Sequence, residues 1–149
     1  MSVVRCLEVA LTIPDNEAES ALATIRRMGL ELGALRRAEV YLVDLEPSHA
    51  GDIMAALQSV ETIFNPNKHR LRVRDETEPL GGEVWIDEPG IDASVSSGGK
   101  LLQGIERIER FTAWQLYDAQ GNPERPETVT RANELLLCNP AFQRALIGR

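Results

Sequence analysis

Two similar segments follow one another in this chain, and this internal repeat restricts the possible fold more than any single residue does. Four short features recur in the same order, 75 residues apart for the first two and 74 apart for the last two: Pro14 and Pro89, Gly29-Leu30 and Gly104-Ile105, Leu42-x-Asp44 and Leu116-x-Asp118, and Asn65-Pro66 and Asn139-Pro140. One single-residue deletion reconciles the two separations. Similarity at a fixed period indicates a duplicated module, so the pattern predicts a fused pseudo-dimer. The alternative is chance recurrence, because helices that end near Asn-Pro or Gly are common.

Strand and helix periodicities occur in the same order in both copies. The first copy predicts a strand that ends at Pro14, a helix capped by Asn16 and closed by Gly29, a strand at 37–45, a helix at 47–64 and a strand at 69–74. The second copy predicts a strand at 83–87, a weak helix at 94–103, a strand at 108–117, a helix that ends before Asn139 and a final segment at 142–147 that either pairs as a strand or frays. The predicted domains are a first repeat at 1–75, a linker at 76–82 and a second repeat at 83–149. The expected fold class is α+β, with two ferredoxin-like strand-helix-strand-helix-strand repeats, antiparallel sheets and helices on one face.

Apolar side chains on both faces of the long predicted strands indicate assembly. Tyr41 and Val43 in the first copy, and Phe111, Ala113 and Tyr117 in the second, occupy alternate positions that the helices of one face cannot all cover. Exposed apolar area costs about 25 cal/mol per Å². We therefore expect the two sheets to pack face to face or to join edge to edge, with a further copy or a larger partner completing the burial. This predicts a homo-oligomer.

Charge and composition exclude several classes of partner. The chain has 16 basic and 23 acidic residues, a net charge of −7, whereas nucleic acids and anionic membranes select basic surfaces. No apolar run approaches the roughly 18 residues of a membrane span, and the N-terminus alternates like a strand instead of resembling a signal peptide, so we expect a cytoplasmic protein. Cys6 and Cys138 lie far apart without a CxxC motif, which favours buried reduced thiols over a zinc site or disulfide.

The motifs that suggest chemistry are incomplete. Ser96-Ser97-Gly98-Gly99-Lys100 resembles a phosphate loop, but Ser94 and Leu101 occupy the positions that require Gly and Ser or Thr. Neither His49 nor His69 has a partner at metal-ligand spacing. We therefore predict no catalytic residues, no bound cofactor and no metal site in this chain.

A basic stripe on one predicted strand is the remaining charged feature. It consists of Lys68, Arg70, Arg72 and Arg74. Such a stripe either receives a phosphate or an acidic partner surface, or protects an edge strand from aggregation. Both alternatives remain open at this point.

One stretch carries a family resemblance. It runs from Glu88-Pro89-Gly90 through Ser94 and Ser96-Ser97 and continues at 104–110 as Gly-Ile-Glu-Arg-Ile-Glu-Arg. The stretch resembles the N-terminal domain of phosphoribosylformylglycinamidine synthase, which in turn resembles two fused copies of the small S subunit of the multi-subunit enzyme. Asn65-Pro66 and Asn139-Pro140 resemble the helix ends of that subunit. Val95 replaces the usual aromatic residue, Gly98 replaces the usual Lys, and the helix up to Gly104 is shorter, which counts against direct substrate contact.

The resemblance implies a non-catalytic subunit that docks a glutaminase to an ATP-dependent amidoligase in purine biosynthesis. The complex would use ATP, magnesium and glutamine, and this chain would bind none of them. The candidate interface residues are Asp92, Ser94, Ser96, Ser97 and Lys100 from the motif, and Arg70, Arg72 and Arg74 from the charge pattern. The alternative is a small-molecule-binding regulatory module of ferredoxin-like type, with a metabolite in the cleft between its halves. A stand-alone enzyme ranks last.

Overall fold

The computed structural model describes residues 3–45, 65, 67–87, 96–97, 100–101 and 105–148. Its strands are β1 (Val3–Leu11), β2 (Ala34–Leu45), β3 (His69–Arg74), β4 (Glu83–Asp87), β5 (Ser96–Ser97), β6 (Lys100–Leu101), β7 (Ile105–Tyr117) and β8 (Arg144–Ile147). Its helices are α1 (Asn16–Arg27) and α2 (Pro126–Ala132), and α2 continues into one π-helical turn at Asn133–Leu137. The predicted α+β class is confirmed at this level.

Six strands form one open sheet. Their order is β3-β1-β2-β7-β4-β8, and β5 pairs separately with β6. The β1/β3, β4/β7 and β4/β8 pairs are antiparallel. Because β2 and β7 are neighbours, the long strands of the two predicted halves join edge to edge, which is one of the two expected arrangements. Such a sheet is compatible with a ferredoxin-like fold.

The chain divides into two compact units. One consists of Met1–Ile13, Glu39–Thr77 and Ile91–Arg110, and the other of Pro14–Ala38, Glu78–Gly90 and Phe111–Arg149. Strands β2 and β7 contribute residues to both. Each unit draws on both predicted halves, and the boundaries at residues 75 and 83 stay a prediction.

Helix α1 is capped by a side chain at its start and is followed by a glycine at its end. The Asp15 carboxylate accepts hydrogen bonds from the N–H groups of Glu17 and Ala18, at 3.1 and 3.2 Å. The cap is therefore Asp15, and the prediction of Asn16 was wrong by one residue, because Asn16 already lies in the helix. At the other end Gly29 has a φ of 95°, a conformation that glycine adopts without strain. The predicted stop at Gly29 is confirmed.

The core of the second unit lies between the helices and the sheet. Its buried residues are Ile25, Leu32, Leu35, Val84, Ile86, Leu116, Val129, Ala132 and Leu137. Side chains from α1, α2 and three strands thus share one apolar cluster. This cluster keeps β4 and its neighbours in fixed positions.

The long strands are buried on both faces within the single chain. Tyr41, Val43, Phe111 and Ala113 are all buried, whereas Tyr117 is half-buried. These four side chains are thus covered within one chain, and the expected homo-oligomer stays a prediction.

The helix predicted at 94–103 is wrong where the structure describes it. Ser96 pairs with Leu101 and Ser97 with Lys100 in an antiparallel ladder. Two glycines between short extended segments are a hairpin signal, and the helix prediction gave this signal too little weight. The helix predicted at 47–64, which includes His49, lies outside the described residues.

Candidate functional site

The outer edge of β3, the first end strand of the sheet, carries main-chain groups that no described strand pairs. Thr12 N–H donates to the Lys68 carbonyl at 2.7 Å, and in this register Arg70, Arg72 and Arg74 lie opposite Ala10, Glu8 and Cys6. Hydrogen-bonded pairs alternate along an antiparallel ladder. The main-chain groups of Leu71 and Val73 therefore point away from β1, and no further strand lies beyond β3 among the described residues.

The arginines of β3 divide into surface and interior groups. Arg70 and Arg72 are exposed, but the Arg74 side chain is only 1% exposed. Its guanidinium contacts the buried Glu8 carboxylate at 3.6 Å, and Arg72 contacts the same carboxylate at 3.1 Å. Of the predicted interface arginines, only Arg70 and Arg72 thus remain on the surface. The expectation that charges protect an edge strand agrees with the position of β3.

The outer edge of β8, the other end strand, is likewise not paired by any described strand. Gly148 N–H donates to the Glu83 carbonyl at 2.9 Å, and Leu146 and Arg144 lie opposite Trp85 and Asp87. By the same alternation, Ala145 and Ile147 direct their N–H and C=O groups outward. Within the part of the chain that the structure describes, β8 is the last strand of the sheet on this side.

The surface of β8 combines apolar and charged side chains. Leu146 is 48% exposed, and Phe142, two residues before the strand, is 57% exposed. Arg144 forms an ion pair with Asp87 on the neighbouring strand. Sequence reasoning identified a possible strand here but missed its place at the sheet edge.

Strand β4 gives β8 a rigid support. Trp85 is fully buried, with its ring centroid 5.5 Å from that of Phe111. The buried Glu83 carboxylate accepts hydrogen bonds from Leu80 N–H at 2.7 Å and from the Gln115 amide at 2.9 Å. A buried carboxylate needs such donors. These two hydrogen bonds join β4 to Leu80 and to β7.

A second ionic cluster ties α1 to the sheet. Arg37 binds the Asp15 carboxylate at 3.0 Å, contacts Glu17, and lies 5.9 Å from the centre of the Trp114 ring. Asp15 thus caps the helix and also pairs with Arg37. Asp15, Glu17 and Arg37 therefore have structural roles.

One open cleft lies beside the loop that joins α1 to β2. It has a volume of about 730 Å³, and its lining includes Arg26, Leu30, Glu31, Asp118 and Glu124. Arg26 donates to the carbonyl groups of Leu32 and Gly33 at 2.8 to 3.1 Å. Asp118 accepts from two nearby backbone N–H groups, each at 2.9 Å. Two of its charged groups therefore already bind the protein's own backbone.

The structure describes three of the five candidate interface residues that come from the motif. Ser96, Ser97 and Lys100 lie in the β5/β6 ladder, whereas Asp92 and Ser94 lie outside the described residues. His69 accepts a hydrogen bond from Asn65 N–H through Nδ1, at 2.9 Å.

Both cysteines are reduced thiols outside any disulfide, as the sequence predicts. Cys6 is buried and Cys138 half-buried, and burial raises the pKa of the Cys138 thiol. A raised pKa lowers the thiolate fraction at neutral pH and therefore the nucleophilicity of the group.

Across the residues described above, no three His, Cys, Asp or Glu side chains converge on a possible metal position, and none of the described helices has the length and apolar character to cross a membrane. The sequence matches no protein-family model and no curated protein.

Proposed function

We propose that this chain is a non-catalytic bridging subunit of phosphoribosylformylglycinamidine synthase, acting in the cytoplasm in purine biosynthesis. It would dock a glutaminase to an ATP-dependent amidoligase, and ATP, magnesium and glutamine would be used by those partners. The motif at 88–97 and 104–110 supports the family. The strand order supports the duplicated architecture that the family resemblance implies.

The symmetry of the strand order is the observation that carries the proposal. In the predicted repeat, β1 corresponds to β4, β2 to β7 and β3 to β8. When each strand of the order β3-β1-β2-β7-β4-β8 is replaced by its counterpart, the same order is read from the opposite end. A pseudo-dimer of two S-like, ferredoxin-like repeats at 1–75 and 83–149, joined through β2 and β7, has this property. An unrelated arrangement of six strands would rarely have it.

Two edges that no described strand pairs are what a bridging subunit needs. An edge strand with free N–H and C=O groups accepts an added strand from another chain. The β3 edge carries Arg70, Arg72 and the 42% exposed Val73, whereas the β8 edge carries Leu146. The two edges differ in charge and in apolar character, so they suit different partners. A chain of this type can therefore bind other chains through both edges without reactive groups of its own.

Reconstitution with the two presumed partners tests the proposal. We expect the purified chain to elute with a glutaminase and an amidoligase in one size-exclusion peak. Glutamine-dependent conversion of formylglycinamide ribonucleotide should require the chain, whereas conversion driven by free ammonia should not, because only glutamine use needs ammonia to pass between subunits. Separate elution, together with glutamine-dependent activity that is the same with and without the chain, would contradict the proposal.

A charge reversal at the β3 edge locates the docking surface. We expect Arg70→Glu to weaken co-elution and to reduce its salt dependence, because exposed interface charges mainly set the association rate and its response to salt. The matched control is Arg131→Glu, an exposed reversal on α2 whose side chain is 59% exposed. Equal effects of the two variants would argue against β3 as the docking edge.

The second candidate, a small-molecule-binding regulatory module, is favoured by the cleft beside Gly33. Its volume of about 730 Å³ lies within the range of small-molecule sites. A thermal-shift screen with nucleotides and amino acids would support this candidate if one compound stabilised the chain and Glu124→Ala removed the effect. Stabilisation without assembly of the synthase would favour it over the bridging function.

A further inference from the structure

We propose that β8 pairs antiparallel with the β8 of a second copy of this chain, so that the sheet continues across a twofold axis at Leu146. Each copy offers the outward N–H and C=O groups of Ala145 and Ile147, which the β4 ladder does not use. Strand addition at such an edge satisfies these groups without any change of backbone. The pairing requires only this chain, so its test is independent of the synthase proposal.

The sequence of β8 is complementary to itself in this register. Ala145 lies opposite Ile147 of the partner subunit, and Ile147 opposite Ala145 of the partner subunit, which makes four main-chain hydrogen bonds. Leu146 meets its own counterpart at the axis, where directly opposite side chains come closest. Arg144 falls opposite Gly148 of the partner subunit, so its charge meets no like charge. Leu146 is also the apolar residue of this strand that solvent reaches most, at 48%.

The same operation at β3 is unfavourable, which identifies β8 as the edge for self-association. The outward groups of β3 belong to Leu71 and Val73. A twofold axis at Arg72 places Arg72 against its own counterpart, and an axis at Leu71 or Val73 places Arg72 against Arg70 or Arg74 of the partner subunit. Like charges directly opposite each other destabilise a strand pair. The β3 edge therefore stays available for a partner of different chemistry.

The size of the contact determines the kind of dimer. Two strands of four residues, with one apolar pair at the axis, bury less than the roughly 1,200 Å² of a standard stable interface. We therefore expect a reversible dimer that dissociates on dilution. Its dissociation constant should fall in a range that sedimentation and light scattering measure directly.

Charge substitutions at the axis test the pairing. Leu146→Lys and Leu146→Glu each place two like charges against each other, and each should raise the dimer dissociation constant at least tenfold, roughly the effect of a repulsive contact at an interface. An equimolar mixture of the two variants should dimerise again, because Lys then faces Glu. The matched control is Val73→Lys, at an edge position that is 42% exposed, which should dimerise like the unmodified chain.

Analytical ultracentrifugation over a hundredfold concentration range supplies the readout, and circular dichroism verifies that each variant is folded. A concentration-dependent dimer, lost in both Leu146 variants and restored by mixing them, supports the proposal. A monomer at every concentration, unchanged dimerisation of both Leu146 variants, or loss of the dimer in Val73→Lys alone would overturn it. If one Leu146 variant does not fold, the other Leu146 variant and the unmodified chain decide the test.

Discussion

Arg74 is the arginine of β3 whose replacement should most affect stability. Its side chain is 1% exposed, and its guanidinium lies 3.6 Å from the Glu8 carboxylate, which is itself 9% exposed. A second, weaker contact joins its Nε to Glu76 at 4.0 Å. Arg74→Ala therefore removes a buried cation while the buried carboxylate of Glu8 remains.

The expected magnitude follows from the burial of both charges. Removal of one member of a buried ion pair costs about 3–5 kcal/mol, because the remaining charge stays desolvated. Glu8 keeps its contact with Arg72 at 3.1 Å, so we expect a loss near the lower end, about 3 kcal/mol. For a chain of this size the loss corresponds to a melting temperature lower by about 6–12 °C.

Urea denaturation followed by far-UV circular dichroism measures the free energy of unfolding of each variant. The control is Arg70→Ala on the same strand, an exposed position where we expect a change within about 0.5 kcal/mol. The double variant Glu8→Gln with Arg74→Met removes both charges and should recover most of the stability, since replacement of a whole buried pair is often neutral. If Arg74→Ala cost no more than Arg70→Ala, the interior ion pair would not contribute as argued.

Three further predictions concern other parts of the fold. Asp15→Ala should lower the free energy of unfolding by about 1 kcal/mol through the lost cap, with a further loss from its ion pair, whereas Asn16→Ala should leave it nearly unchanged in the same urea titration. Gly33→Ala should destabilise the fold by about 1–3 kcal/mol or more, because the new Cβ would lie 2.0 Å from the Asp118 carbonyl oxygen. A melting temperature equal to that of the unmodified chain would contradict this prediction. Burial, together with Glu39, raises the pKa of Tyr41 above its ordinary 10.0 despite the opposing Arg110, so the folded state holds the proton more tightly and stability falls as the pH rises above that value. Tyr41→Phe should show a shallower alkaline decline, measured by urea titrations at increasing pH, and an identical decline would refute the assignment.

These expectations change how the interface arginines should be tested. A combined reversal of Arg70, Arg72 and Arg74 to Glu treats the three as one exposed surface, but it would place Glu beside the buried Glu8. Loss of assembly in that variant would then report unfolding as much as docking. Arg70→Glu alone separates the two effects.

Local elements were predictable where one periodicity dominates. The alternation in β1 and β3 and the apolar stripe of α1 gave elements of the right type with ends close to those observed. The cap was less predictable, because Asp15 and Asn16 both have side chains suited to capping and only the backbone decides which one precedes the helix. At 96–101 the weak helical pattern competed with the hairpin signal of two adjacent glycines, and the ladder formed.

The candidate site was predictable only in its charges. The basic residues of β3 are evident from the chain, but Arg70 and Arg74 occupy equivalent positions in the alternation, and nothing local distinguishes the exposed one from the buried one. Their difference comes from Glu8, a residue 66 positions before Arg74 along the chain. The β8 edge carries no strong local signal, because four residues of mixed character make a common pattern.

The amino-acid order by itself determined the class of the elements in which one periodicity dominates, and the acidic balance of the chain, since periodicity and charge are properties of the residues alone. Only the tertiary structure decided that β3 and β8 are the end strands among the described residues, that Arg74 is buried, and that Ala145 and Ile147 direct main-chain groups away from β4. The physical reason is that burial and edge position depend on which distant segments become neighbours. A strand carries the same alternation in its sequence whether one side of it is paired or both.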